Sequence, residues 1–292
     1  MRCSAIVGEP FIASEVLACG VLSRHQLRTR YRALFPNVYL PRRTEPTLQQ
    51  RIIAAWLWSG RQGVIAGTAA AALHGAKWVD DDIAIELIHS NNRPPPGVLT
   101  RRDTLLDTEV TTVAGISLTT PERTAYDIGR RVPRRAAVAQ LDALSRATGL
   151  KLDDVAAIIE HRRGARGLRQ LEMALELVDP GAESPRETYL RLLLIDSGLP
   201  RPQTQIPVVT QQTTYYLDMG WDDCMVAVEY DGEHHRSDPL QYRKDIRRLE
   251  ILEYIGWIVI RVVAADHPAD IVRRVRRALQ SRKSSERSGF PV

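Results

Sequence analysis

The sequence predicts an α/β protein in three parts: an N-terminal winged helix-turn-helix, an α/β middle region, and a C-terminal α/β/α domain. Three observations carry this expectation. Two short helical patterns separated by Gly20 precede a basic strand pair at residues 31–40. Short apolar strands and helices then alternate as far as Asp179-Pro180-Gly181. From residue 183 the order is helix, strands, helix, strand, helix, the pattern of a sheet covered on both faces, with acidic residues gathered at one sheet edge.

Composition bounds the classes of function. The chain has 292 residues, 44% hydrophobic and 26% charged, enough for two or three domains of an ordinary globular protein. There is no apolar run of about 20 residues, and Met1-Arg2-Cys3-Ser4 leads to Glu9 and Pro10 rather than to a signal core. Neither a membrane span nor a secretion signal is expected, and a cytoplasmic location is. Cys3, Cys19 and Cys224 are odd in number, widely spaced and outside any C-x-x-C pattern, which argues against a disulfide framework or a zinc site. The net charge is +5, and residues 273–287 alone hold six arginines and one lysine against one glutamate. Such a patch binds polyanions through counterion release; a solvated helix face is the plain alternative.

In order along the chain, residues 14–20 read as a short helix stopped by Gly20. Ser23 and Gln26, three apart, form a capping box that opens a second helix through Leu27. Two short helices joined by a glycine turn suggest a helix-turn-helix, with residues 31–40 as the wing and Arg28, Arg30 and Arg32 as nucleic-acid contacts. A small helical core without a DNA role is the competing reading. Residues 47–58 and 68–73 form helices, the second closed by His74-Gly75. Strands follow at 83–88, 97–100, 109–113 and 116–118. Thr120 caps a helix with Pro121 in its first turn and Ala125, Ile128 and Gly129 on one side. Helices at 134–147, 151–160 and 167–178 complete the middle region.

The series Gly20-Val21-Leu22-Ser23, Arg30-Tyr31, Asn37-x-Tyr39, His74-Gly75, Gly115-Ile116 and Thr120-Pro121-Glu122-Arg123-Thr124-Ala125-x-Asp127 resembles the AbiEi-type antitoxins of type IV toxin–antitoxin systems, over about residues 8–178. The resemblance implies DNA binding by the N-terminal part, with an autoregulatory role and a possible cognate toxin as partner. It supplies no catalytic residue.

In the last part, Ser184, Pro185 and Glu187 provide a cap, a first-turn proline and a first-turn acid for a helix. The apolar run Val226-Ala227-Val228 delivers Glu229 and Asp231 to one face of a strand and breaks at Gly232. Upstream, Tyr215–Asp218 is a strand, and Gly220 with Asp222-Asp223 a turn, so a hairpin brings Asp218 and Glu229 together. A helix at 240–254, a strand at 257–262 and an amphipathic helix follow, with Ile271, Val275, Ala278 and Leu279 on one face of that helix and Arg273, Arg274, Arg276 and Arg277 away from it. Carboxylates at Glu187, Asp218, Glu229 and Asp231 suit Mg²⁺ or Mn²⁺. Acids at one strand end repel one another unless a cation or a basic partner is present.

Residues 183–279 resemble the PD-(D/E)XK nuclease superfamily, and within it the DUF559 and very-short-patch-repair-like branch. The signature stands here as Glu229-Tyr230-Asp231-Gly232-Glu233-His234-His235, followed by Asp245-Ile246-Arg247-Arg248. The resemblance implies a restriction-endonuclease-like fold with Glu187, Asp218 and Glu229 as acids and Gln205 before the first strand. Asp231 stands where the wider superfamily has a lysine. His235, Lys244 or Arg248 would then supply the missing positive group, and Lys244 would also contact nucleic acid. The expected parts are residues 1–45, 46–179, 183–280 and a basic tail at 281–292. Two functions compete: a divalent-metal-dependent DNA endonuclease, and a non-catalytic DNA-binding regulator or antitoxin that keeps the nuclease fold. An RNA-directed nuclease is a third, and the oligomeric state stays open.

Overall fold

Side-chain caps decide where the first helices begin. The Ser23 hydroxyl accepts the Gln26 amide at 3.2 Å while the Ser23 amide donates to the Gln26 side chain at 2.8 Å, opening α2 (Arg24–Arg30) after α1 (Ala13–Ala18). The same reciprocal pair, Thr47 with Gln50, opens α3 (Leu48–Trp58). In the computed structural model, which describes residues 8–211, 213–232 and 239–287, the mixed α/β chain divides into two compact units, Met1–Glu176 and Leu177–Val292.

In the first unit, β1 (Phe11–Ile12), β2 (Tyr31–Phe35) and β3 (Val38–Pro41) form an antiparallel sheet in the order β1-β3-β2. Asn37, at φ 63°, turns the chain between β2 and β3, a conformation its short polar side chain tolerates. A second sheet has the order β6-β5-β4-β8-β7, from β4 (Val64–Ala66), β5 (Ile85–Ile88), β6 (Val98–Arg101), β7 (Val110–Val113) and β8 (Ile116–Thr119), with α4 (Gly67–Leu73) after β4. Pairs β4/β8 and β5/β6 are parallel, and the other two antiparallel. One core joins both sheets: Ile12, Phe35 and Val38 pack with Ile52 of α3 and with Ile65 and Leu87.

Helices α5 (Pro121–Arg131), α6 (Arg134–Thr148), α7 (Leu152–His161) and α8 (Leu168–Leu175) complete this unit, with α5 packed against the other three. Gly129 explains one close approach, since a Cβ there would lie 2.3 Å from Leu171 Cδ1 of α8. Two differences from the sequence reading trace to particular hydrogen bonds. Glu109 belongs to a short 3₁₀ turn, Asp107–Glu109, because its carboxylate accepts the Leu106 amide at 3.0 Å instead of extending β7. The helix expected to reach residue 178 ends at Leu175; the Leu177 and Val178 carbonyls are taken by the Arg191 and Arg201 guanidiniums at 2.6 and 3.0 Å.

The second unit contains α9 (Pro185–Asp196), β9 (Gln203–Val209), β10 (Thr214–Trp221), β11 (Val226–Tyr230), α10 (Pro239–Tyr254), β12 (Ile258–Val262) and α11 (Pro268–Arg287). The sheet order is β12-β11-β10-β9, parallel between β11 and β12 and antiparallel elsewhere. Leu190 and Leu194 of α9 and Ile271 and Val275 of α11 pack with Met219, Val228 and Ile260. Leu252 of α10 and Trp257 pack with Ile206, Leu217 and Ala227. Leu217 and Met219 thus join different layers although two residues apart, which breaks the usual alternation at Asp218. Opposite this point Gln205 of β9 has φ 50°, a local irregularity in the edge strand.

Gly220 was expected in the hairpin turn, and it lies within β10, opposite Ala227. The turn is Asp222–Met225, closed by the Met225 amide on the Asp222 carbonyl at 3.0 Å. A Cβ at Gly220 would sit 2.3 Å from the Val226 carbonyl oxygen and 2.9 Å from Ala227 Cα, so the glycine permits backbone contact rather than a bend. Gly220→Ala is expected to destabilise the second unit by about 1–3 kcal/mol, as overpacking does, seen as a lower urea midpoint. An unchanged midpoint would show that the neighbouring strand yields at no cost.

Candidate functional site

The β10/β11 register, Met219 opposite Val228, makes Asp218 and Glu229 the next cross-strand pair. Asp218 Oδ2 accepts the Tyr230 amide at 2.9 Å. Glu229 is buried, and Arg248 of α10 grips both of its carboxylate oxygens, one at 2.9 Å, while also donating to the Tyr216 carbonyl at 2.9 Å. The guanidinium carbon lies 5.9 Å from the centroid of the Tyr215 ring. Just past β11, Asp231 accepts from Arg261 of β12 at 2.5 Å. These groups, with Asp245 and Tyr216, line a pocket of about 230 Å³.

Glu187 approaches from the first turn of α9. Its carboxylate accepts the Glu183 amide and the Ser184 hydroxyl, both at 2.8 Å, while Ser184 Oγ accepts the Glu187 amide at 3.2 Å. Burial, and after it the negative charge of Glu187, push the Asp218 carboxyl up to about 7; the Tyr230 amide and Arg248 oppose that rise, and Glu229 adds to it. Burial is the largest influence and disfavours the Arg248 charge, but the Glu229 hydrogen bonds together with the negative charges of Glu229, Asp218 and Asp245 outweigh it, and the guanidinium is held above its ordinary value.

The hairpin therefore brings together Asp218, Glu229 and Asp231, α10 adds Arg248, and Glu187 is in electrostatic reach. Lys244 is exposed on α10, and His235 lies outside the described residues. The donor set does not fit Mg²⁺ or Mn²⁺ as arranged. Both oxygens of Glu229 face Arg248, Asp231 faces Arg261, and Glu187 is engaged at its own helix terminus. Among the described residues, no three His, Cys, Asp or Glu side chains are grouped to hold a metal ion.

The basic residues divide into two kinds. On α2, Arg24, Arg28 and Arg30 are exposed, and Arg42 ties the chain after β3 to this helix through the Arg28 carbonyl at 2.7 Å and the Arg30 carbonyl at 2.9 Å. Arg32 is instead half-buried and holds the Thr44 carbonyl at 2.7 Å. On α11, Arg273, Arg276 and Arg277 are exposed beside Leu193 and Val272, with Arg273 paired to Asp270 at 2.9 Å and Arg276 donating to the Ser197 carbonyl at 3.1 Å, whereas the half-buried Arg274 binds the Arg261 carbonyl and Asp266 at 3.1 and 2.8 Å.

The sequence reading missed a buried ion network in the first unit. Arg123 has no exposed surface, and its nitrogens reach Asp127 at 3.0 Å, Glu109 at 3.0 Å and Asp103 at 2.8 Å. Arg162 adds a 2.5 Å contact to Glu109, and Arg130 lies 4.3 Å above the buried Tyr126 ring. The available signal was Arg123 and Asp127 four apart on one helix, inside the Thr120–Asp127 motif; Asp103 and Glu109 could not be assigned to them by spacing.

Breaking a buried pair by removing one partner costs about 3–5 kcal/mol. Asp127→Ala is expected to lower the melting temperature of the first unit accordingly, roughly 2–4 °C per kcal/mol; a loss no larger than that of a surface substitution would contradict the network's role. For Asp218, the ordinary carboxyl value of 3.8 rises to about 7 in the folded chain. The native state then holds the additional proton between these values, and stability falls as pH rises from about 4 to about 7. Each unit is worth about 1.4 kcal/mol. Asp218→Asn removes this penalty, so in EDTA it is expected to gain stability over wild type at pH 8 relative to pH 4. Parallel stability curves for the two proteins would contradict the raised value.

Residues 62–177 match the family model of the AbiEi antitoxin C-terminal domain, a segment that includes the second sheet, α5 and the Arg123 network. Two uncharacterized proteins of Mycobacterium tuberculosis, MT2308 and Rv2248, are each 29% identical to the chain over 239 residues, covering 80% of it and 88% of their own length. No solved structure matches. Residues 62–177 are thus similar to an antitoxin domain, and that match ends where the second unit begins.

Proposed function

We propose that the protein is a DNA-binding regulator of the antitoxin kind, whose second unit keeps a nuclease-like arrangement in a non-catalytic role. The observation that carries this reading is the similarity of residues 62–177 to the AbiEi antitoxin C-terminal domain. The N-terminal segment supports it. We read α1 and α2 as the helix-turn-helix and the β2–β3 strand pair as its wing. Arg24 and Arg28 on the open side of α2, with Arg30 and the wing-side Arg42, form a basic edge suited to phosphate contacts. A cognate toxin encoded with this chain is the partner that the reading implies.

Footprinting and titration on the protein's own promoter test it. Binding is expected to weaken steeply with salt, and loss of each phosphate contact reduces the slope of log K against log salt by about 0.9. Arg28→Ala with Arg30→Ala is therefore expected to lower affinity and flatten that slope. Absent or salt-independent binding would reject the regulator reading.

A second reading, a divalent-metal-dependent endonuclease of the PD-(D/E)XK kind acting on DNA, is favoured by one observation: Asp218 meets Glu187 and Glu229 closely enough for their charges to raise its pKa. It requires that Glu229 be released from Arg248. Supercoiled, linear, single-stranded and mismatched DNA should be incubated with Mg²⁺, Mn²⁺ or EDTA, beside Asp218→Ala and Glu229→Ala variants. No cleavage, or equal cleavage by both variants, removes this reading.

A further inference from the structure

We infer that Arg248 is the resident counter-cation of the acid pocket, and that this guanidinium, by occupying both oxygens of Glu229, keeps a divalent cation out of that pocket. This goes beyond the regulator reading, which assigns no role to any cation at the pocket.

The argument rests on geometry and charge. Asp218, Glu229, Asp231 and Asp245 line one small pocket with Arg248 and Arg261. Carboxylates so close need compensation. A planar guanidinium answers a carboxylate with two parallel N–H donors, which matches the fork that Arg248 presents to Glu229. The same side chain also satisfies the Tyr216 carbonyl and stands near the Tyr215 ring, so it is anchored at three points rather than swinging over the pocket mouth. A divalent ion at Glu229 would have to displace the guanidinium or share an oxygen with it, and in either case sit beside a second positive charge. Arg261 imposes the same exclusion at Asp231. The lysine missing at position 231 is therefore only part of the departure from a metal-dependent site, because the acids themselves are already paired.

Mn²⁺ binding reads this directly. Free Mn²⁺ is followed by electron paramagnetic resonance during titration into the full-length wild type, Arg248→Met, and Arg248→Met with Glu229→Gln, with folding checked by circular dichroism. Methionine keeps an apolar stem beside Tyr215 without the charge. The expected result is weak Mn²⁺ uptake by wild type, at least about 10-fold tighter uptake by Arg248→Met at one ion per chain, and loss of that gain in the double variant. A folded Arg248→Met protein with no gain overturns the inference. So does tight one-to-one Mn²⁺ binding by wild type that Asp218→Asn abolishes, a measurement that decides even if Arg248→Met fails to fold. The readout is ion occupancy, so it is distinct from failure of promoter binding, which concerns α2, and from absence of DNA cleavage.

Discussion

A carboxylate withdrawn from water must either meet a positive charge or surrender its own, and both units of this chain are arranged around that constraint. In the first unit Arg123 sits without exposed surface among Asp103, Glu109 and Asp127. Desolvating so many charges is costly, and only close, hydrogen-bonded pairing offsets it. In the second unit Arg248 performs the same service for Glu229. Asp218, whose backbone partner is the Tyr230 amide, follows the other course: its carboxyl is pushed up to about 7.

This constraint changes how the basic composition should be read. The chain carries 40 lysines and arginines, yet several arginines serve the fold. Arg51 holds the Ile83 carbonyl, Arg61 pairs with Glu15, Arg191 holds the Leu177 carbonyl and Arg274 pairs with Asp266. The positive charge open to a polyanion lies with residues such as Arg24 and Arg28 of α2 and Arg277 of α11, whereas Arg273 pairs with Asp270. A helix face read from sequence as uniformly basic is therefore divided, and counterion release counts only the exposed members.

The pairing also gives the antitoxin-like motif a physical content. Thr120 caps α5 through the Arg123 amide, Pro121 fits the first turn, Arg123 and Asp127 pair along the helix, and Gly129 lets α8 approach. The motif is a structural module of a buried helix. It holds together the domain that is similar to the antitoxin family.

Local features were legible in the sequence because their causes are local. Ser23-Gln26 and Thr120-Pro121 set helix starts, and the spacing of Glu229 after Asp218 required a hairpin that joins them. Gly220 was misread as a turn because its reason, the backbone of Val226 and Ala227 pressing against it, comes from the facing strand. The sequence by itself determined the mixed α/β class, the helix caps and the meeting of Asp218 with Glu229. Only the tertiary structure decided that Arg248 closes Glu229, that Arg261 closes Asp231 and that Arg123 gathers acids from 20 and 14 residues upstream. Charge compensation acts through space at hydrogen-bond range, and no spacing along the chain encodes which distant guanidinium will arrive.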